Sequence, residues 1–204
     1  EKHYKLLKIC KKNKIKFLTS IFNINDVKFL KKINSKIIKI PSHEIYNLKL
    51  INECLLNFDK VLISTGASKW KEILNIKKLK NFKKKAVLMH CVSSYPCDDK
   101  NVNLKRIYDL KRLTSNLGYS GHASHIHDGI LAITMGANYI EKHFTIDKKL
   151  PGRDNKNAIL PQDLKNIANF RDKYTQMLIY RGKDFQTCEK DIYHNYRGRW
   201  SKNV

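Results

Sequence analysis

One segment does most to limit how this chain can fold: residues 117–160, LGYSGHASHIHDGILAITMGANYIEKHFTIDKKLPGRDNKNAIL. A short apolar run ends in Ser-Gly-His, a helix-length segment follows, and a second apolar run ends in Glu-Lys-His. His122 and His143 therefore stand at equivalent ends of consecutive strands. Strands joined through a helix run parallel, and in a sheet closed into a barrel such ends share the face on which ligands and metals bind.

The remaining sequence repeats this alternation. Residues 1–15 read as an amphipathic helix, with Tyr4, Leu7 and Ile9 among its apolar positions, and residues 16–20 (KFLTS) as a short strand. Asn25 and Asp26 are expected to cap a helix ahead of a strand at 36–42. A helix over 48–57, a strand over 60–66 and a helix capped by Ser68 and running through Trp70 and Leu74 come next. Strand 85–94, helix 103–115, strand 117–120, helix 125–136, strand 138–143 and helix 161–178 complete the series. Six strands alternate with helices, with no hairpin signal between them. That predicts a parallel α/β fold, about six βα units of an incomplete (β/α)8 TIM barrel. The barrel domain is expected over residues 1–179, with 180–204 an extended or poorly ordered tail at the start of a linker.

The formal charge of +23 raises nucleic acid or an anionic membrane as partners. The lysines, however, are dispersed along the whole length among many Asn and Ile residues, which favours a solvated surface over a built groove. Such a surface would still attract acidic, phosphorylated substrates. Cys10, Cys54, Cys91, Cys97 and Cys188 are scattered with no CxxC pair, which fits a reducing cytoplasm. No apolar run reaches the length of a membrane span. The chain opens directly on a helical pattern without Met, and is expected to lack its true beginning.

Nearly every strand ends in polar residues: Thr19/Ser20, Lys39/Ser42/Glu44, Ser64/Thr65, His90/Ser93/Ser94/Tyr95, Ser120/His122 and Glu141/Lys142/His143. One such ending is explained by helix capping, but a succession describes a polar mouth suited to phosphate or carboxylate. Lys39 lies in an apolar strand, where a buried ammonium needs an anionic partner. For Glu141 and Lys142 a strand-end ion pair is the plain alternative to a place in that mouth; His125 and His127 read as residues on or near the following helix, and Cys91 as a core thiol.

The segments FLTSIF, KIPSHEI, ISTGAS, HCVSSYP, GYSGH, MGANYIEKHFTIDKKLPGRDNK and ILPQDL resemble, in order and spacing over about residues 1–175, the sialic acid synthase family, which includes legionaminic and pseudaminic acid synthases. The resemblance implies a TIM barrel, here its strands three to eight. It also implies condensation of phosphoenolpyruvate with an N-acetylated amino-sugar aldehyde such as N-acetylmannosamine, a divalent metal (Mn²⁺ or Mg²⁺) and a homodimer. By the same resemblance His122 and His143 are the metal ligands. Ser20, Lys39, Ser42, Ser64, Ser93, Tyr95 and Ser120 hold the phosphate and carboxylate of phosphoenolpyruvate. Glu44, which handles a proton at the reacting centre, and Lys39 are implied as catalytic residues, and Asp154 contacts hydroxyls of the sugar.

Three departures stand out. The family's Ser-Asp-His is Ser120-Gly121-His122, which removes a carboxylate near the metal, and its Pro-Asp-His is Arg153-Asp154-Asn155. The family's first two strands and its C-terminal antifreeze-like domain have no counterpart in these residues, so weak or absent turnover is expected of this form. The alternatives are a related phosphoenolpyruvate-dependent sugar-acid synthase, an inactive barrel fragment, or a basic binding module.

Overall fold

The computed structural model describes residues 2–201. The sheet has five strands: β1 (Ile37–Ile40), β2 (Lys60–Ser64), β3 (Ala86–Cys91), β4 (Leu117–Gly121) and β5 (Tyr139–Lys142). They are all parallel and hydrogen-bonded in sequence order. Because the order never reverses, every right-handed crossover places its helix on the same face, and the sheet curls into an open half-barrel. The helices are α1 (Lys2–Lys12), α2 (Ile24–Lys32), α3 (Leu48–Asn57), α4 (Trp70–Lys77), α5 (Phe82–Lys85), α6 (Arg106–Lys111), α7 (His127–Thr134) and α8 (Pro161–Met177).

The two faces of the sheet follow the period of two along each strand. Outward residues such as Ile38, Ile40, Val61, Ile63, Leu88 and Tyr119 pack with Leu50, Ile51, Ile73, Ile76, Ile107 and Leu110 from the helices. Inward residues near the strand starts (Leu62, Val87 and Met89, flanked by Ile37 and Tyr139) form a separate apolar floor. The next inward positions are Lys39, Ser64, Cys91, Ser120 and Glu141. Apolar floor and polar mouth thus lie on one face, two residues apart.

The expected strand at 16–20 is not formed. Its single bridge joins Ser20 to Lys39, with Lys39 N donating to the Thr19 carbonyl and Ile21 N to the Lys39 carbonyl. Leu18 stays 40% exposed, so no burial extends the pairing further. Two caps also differ from expectation. Asn23, not Asn25, caps α2: its Oδ1 accepts from the amides of Asn25 and Asp26, and Asp26 closes the box. Ser68 donates to the Thr65 carbonyl instead of capping α4. Gly136, at φ +102, ends α7 where a side chain would be strained, with Ala137 N reaching back to the Ala132 carbonyl.

The segment after α8 is more structured than an extended tail. Turns at Thr187–Glu189 and Ile192–Tyr196 stack Phe185 on Tyr193 at 4.2 Å, and Arg197 lies over the Tyr193 ring. The aromatic spacing that orders this segment has no simple helix or strand period, so periodicity does not reveal it.

Candidate active site

The C-terminal ends of the strands enclose a cleft of about 350 Å³. Nine of the expected site residues line it: Ser20, Lys39, Ser42, Ser64, Ser93, Tyr95, Ser120, His122 and His143. Lys39, Ser64, Ser93, Tyr95, Ser120, His122 and His143 arrive there by continuing the inward parity of their strands, whereas Ser20 comes from its single bridge to Lys39 and Ser42 from the turn after β1. Gly66 lets the loops close in. A Cβ at this position would overlap the Ser93 hydroxyl, and it would lie 2.7 Å from Ser42 Oγ and 2.9 Å from Cys91 Sγ.

Lys39 finds its anion across the cleft. Its Nζ donates to Glu141 Oε1 at 2.6 Å, and Ser120 Oγ donates to the same oxygen at 2.8 Å. The Lys39 side chain is 6% exposed and that of Glu141 39%, so the pair opens to solvent on the carboxylate side. Ser64 is buried, and its hydroxyl has no hydrogen-bond partner among the described residues. A buried hydroxyl in this condition suits an arriving ligand oxygen.

His122 and His143 stand side by side, ring centroids 5.4 Å apart, with the Tyr95 ring 4.2 Å from His122 and 5.8 Å from His143. The Val92 carbonyl lies 2.8 Å from His122 Nδ1, so Nδ1–H donates and Nε2 keeps its lone pair. His143 Nδ1 faces Asp154 Oδ2 at 3.7 Å. Burial is the main cause that pushes both imidazoles below their ordinary pKa, which favours the neutral, ligating form. Burial likewise raises the Tyr95 phenol. Two neutral imidazoles are donors that a divalent cation accepts, while no cluster of three or more His, Cys, Asp or Glu that could hold a metal is present among the described residues.

Two expected residues fall outside the cleft lining. Glu44 is half-buried on the turn Ser42–Glu44, and its Oε2 accepts from Asn47 Nδ2 at 3.2 Å. Asp154 lines a neighbouring cavity of about 490 Å³ with Arg153, Lys156 and Asn157, and Tyr95 and His143 border both spaces. Glu141 and Lys142 do not form the strand-end pair that was the plain alternative for them. They point to opposite faces, Glu141 to Lys39 and Lys142 to Asp128. Parity is the signal that could have found the role of Glu141, since it shares the inward face with His143. His127 opens α7 and His125 lies in the loop just before it, both outside the cleft, with His125 Nε2 standing 2.7 Å from Asp99 Oδ1. Cys91 is buried yet borders the cleft, its sulfur 3.5 Å from Ser42 Oγ.

A parallel half-barrel with its polar groups gathered at the strand C-termini has the architecture of a TIM-barrel enzyme. A sequence model of the NeuB family matches residues 1–182, and the chain belongs to that family. It is 38% identical over 171 residues to the N,N'-diacetyllegionaminic acid synthase of Campylobacter jejuni, which covers 81% of this chain and 51% of the relative. It is 34% identical over 170 residues to the N-acetylneuraminate-9-phosphate synthase of Drosophila melanogaster, 79% of this chain and 46% of the relative. The chain thus spans about half the length of the curated relatives it matches. Among solved structures, an N-acetylneuraminic acid synthetase from Leptospira borgpetersenii superposes with a TM-score of 0.84 at 31% identity, covering 98% of this chain and 71% of that one. A Thermotoga maritima DAHP synthase (TM-score 0.67, 16% identity) shares the fold.

Proposed function

We propose that the cleft condenses phosphoenolpyruvate with an N-acetylated amino-sugar aldehyde, N-acetylmannosamine or a relative, to give a nonulosonic acid and phosphate for surface polysaccharide biosynthesis. One observation carries the reading: a buried Ser64 hydroxyl, without a partner among the described residues, and the Lys39 ammonium share one cleft with two imidazoles held toward the neutral form by burial. Lys39, Ser20, Ser42, Ser64, Ser93, Tyr95 and Ser120 would hold the phosphate and carboxylate of phosphoenolpyruvate by charge-assisted hydrogen bonds. His122 and His143 would hold a divalent cation, Mn²⁺ or Mg²⁺, which when bound would supply Lewis acidity toward the aldehyde oxygen. The enol C3 forms the new carbon–carbon bond to the aldehyde carbon, and the aldehyde oxygen takes a proton to become a hydroxyl. Water adds at C2, the C2–O bond to phosphate breaks, and phosphate leaves with the electron pair as the keto acid forms. Glu44 is assigned the proton of the attacking water. Asp154 is assigned the sugar hydroxyls, from the neighbouring cavity.

The same reading places the barrel domain at residues 1–179 and the beginning of a linker in the tail. It takes the complete protein as a cytoplasmic homodimer without nucleic-acid or membrane partners. No helix among the described residues is long and apolar enough to cross a membrane. Arg153 and Lys156 beside Asp154 favour a second possibility for the acceptor, a more acidic sugar on the same reaction.

The test is phosphate release from phosphoenolpyruvate with N-acetylmannosamine and Mn²⁺. It is run on this chain and on a chimera carrying the first barrel strands of the legionaminic acid synthase. Release by the chimera that disappears with His122→Ala and is reduced by Ser64→Ala supports the proposal. Activity indifferent to both substitutions, or none with any amino-sugar aldehyde while phosphoenolpyruvate and metal are bound, contradicts it.

A further inference from the structure

Behind the two imidazoles, on the helix-packed side of β4 and β5, lies a buried ion pair that the cleft chemistry does not use. Lys142 and Asp128 have side chains 4% and 2% exposed. Lys142 Nζ donates to Asp128 Oδ1 at 3.0 Å, to Oδ2 at 2.9 Å and to the Ala123 carbonyl at 2.8 Å. Tyr119 Oη donates to Asp128 Oδ2 at 2.9 Å, and Gly129 N to Oδ1 at 2.8 Å. An ammonium has three N–H bonds, and here each has an acceptor. The cluster ties four segments together: β4, the loop after it, the start of α7, and β5.

Its position relative to the histidines follows from strand parity. His122 sits between Gly121 and Ala123, and His143 directly follows Lys142. Each imidazole therefore points into the cleft from a backbone whose adjoining residue is held from behind. The absence of a side chain at residue 121 is part of this arrangement. A Cβ there would stand 2.5 Å from Asp128 Oδ2, 2.5 Å from Tyr119 Cε1 and 3.1 Å from Lys142 Cδ. The carboxylate missing from Ser-Gly-His is thus matched by one from α7, seated in the space Gly121 leaves.

We infer that Asp128 and Lys142, seated by Gly121, are positioning residues that fix the separation and orientation of His122 and His143. This rests on the proposal that those two histidines hold a divalent cation. Groups that orient metal-binding histidines change metal affinity by about 10- to 100-fold when removed.

The experiment titrates Mn²⁺ into the full chain by electron paramagnetic resonance, alongside ¹⁵N NMR of the imidazoles. The variants are Lys142→Met, Lys142→Arg and the double variant Lys142→Met/Asp128→Leu, which leaves no unpaired buried charge and so keeps a folded form available. Ile63→Ala, in the helix-packed core away from the histidines, controls for lost stability. The expected result is Mn²⁺ binding weakened at least about 10-fold in the methionine and double variants, partly restored by arginine and unchanged in the control. The His122 Nδ1–H signal, bonded to Val92 in the parent, should broaden in parallel. Folded Lys142 variants with parental affinity and an unaltered signal overturn the inference. Should the parent itself not bind Mn²⁺, the metal reading fails, and the His122 signal alone decides: broadening in the variants sustains the positioning role, and an unaltered signal overturns it.

Discussion

Two lysine–carboxylate pairs meet at β5, and they could hardly be more differently placed. Lys39–Glu141 spans the cleft, with the carboxylate 39% exposed, and a neighbouring hydroxyl donates to the same oxygen. Lys142–Asp128, one residue along the strand and on its other face, is closed at both ends and saturated by protein donors and acceptors. The comparison separates two uses of the same chemistry. A pair left partly open can exchange partners with an anionic ligand; a closed pair can only hold backbone segments in place.

The largest expected effect breaks the closed pair. Lys142→Met strands the Asp128 carboxylate in the interior and should cost about 3–5 kcal/mol in urea denaturation. The matching change in the cleft, Lys39→Met, leaves Glu141 able to meet water and should cost about 1 kcal/mol. Equal losses would erase the distinction. Next comes Gly121→Ala, which forces a methyl group against Asp128 and Tyr119 and should cost about 1–3 kcal/mol. Parental stability in the Gly121→Ala variant would show that the closed cluster has room to spare.

Ser64→Ala turns the comparison toward the ligand. The hydroxyl has no protein partner among the described residues, so unfolding should show stability unchanged or slightly raised. Affinity for phosphoenolpyruvate should fall about 10-fold, the loss of one hydrogen bond to a charged group. The smallest effect concerns pH. His90 is buried on the helix-packed face, its Nε2 against the Val102 carbonyl, and burial pushes its pKa below the ordinary value. A lowered folded pKa means stability that is full above the unfolded value of about 6.5 and is lost as pH falls toward the folded one. His90→Gln should therefore flatten the fall of the thermal midpoint below about pH 6.5; an unchanged slope would assign it to other groups.

Much of this was legible in the residues themselves. The alternation of apolar runs with helix-length segments sets the parallel half-barrel. The polar ends of those runs place nine expected residues in one cleft. What escaped did so for physical reasons. The 16–20 run has strand composition but no neighbour that buries Leu18, and tertiary burial decides short strands. Glu141 and Lys142 are adjacent in sequence, yet strand geometry sends them to opposite faces, and their partners lie 102 and 14 residues away. Asp128 gave no sign of its role, because a carboxylate early in a helix reads as ordinary dipole chemistry. Glu44 carried a role by resemblance that its place on the Ser42–Glu44 turn, outside the cleft lining, does not by itself express.

The most direct test of the central claim, that one cleft gathers both the phosphoenolpyruvate anions and the metal, is the ³¹P relaxation of phosphoenolpyruvate in the presence of the chain and Mn²⁺. The account predicts strong Mn²⁺-dependent relaxation that vanishes in the His122→Ala/His143→Ala double variant and weakens with Ser64→Ala. Relaxation of the same size in the parent and the double variant would contradict it.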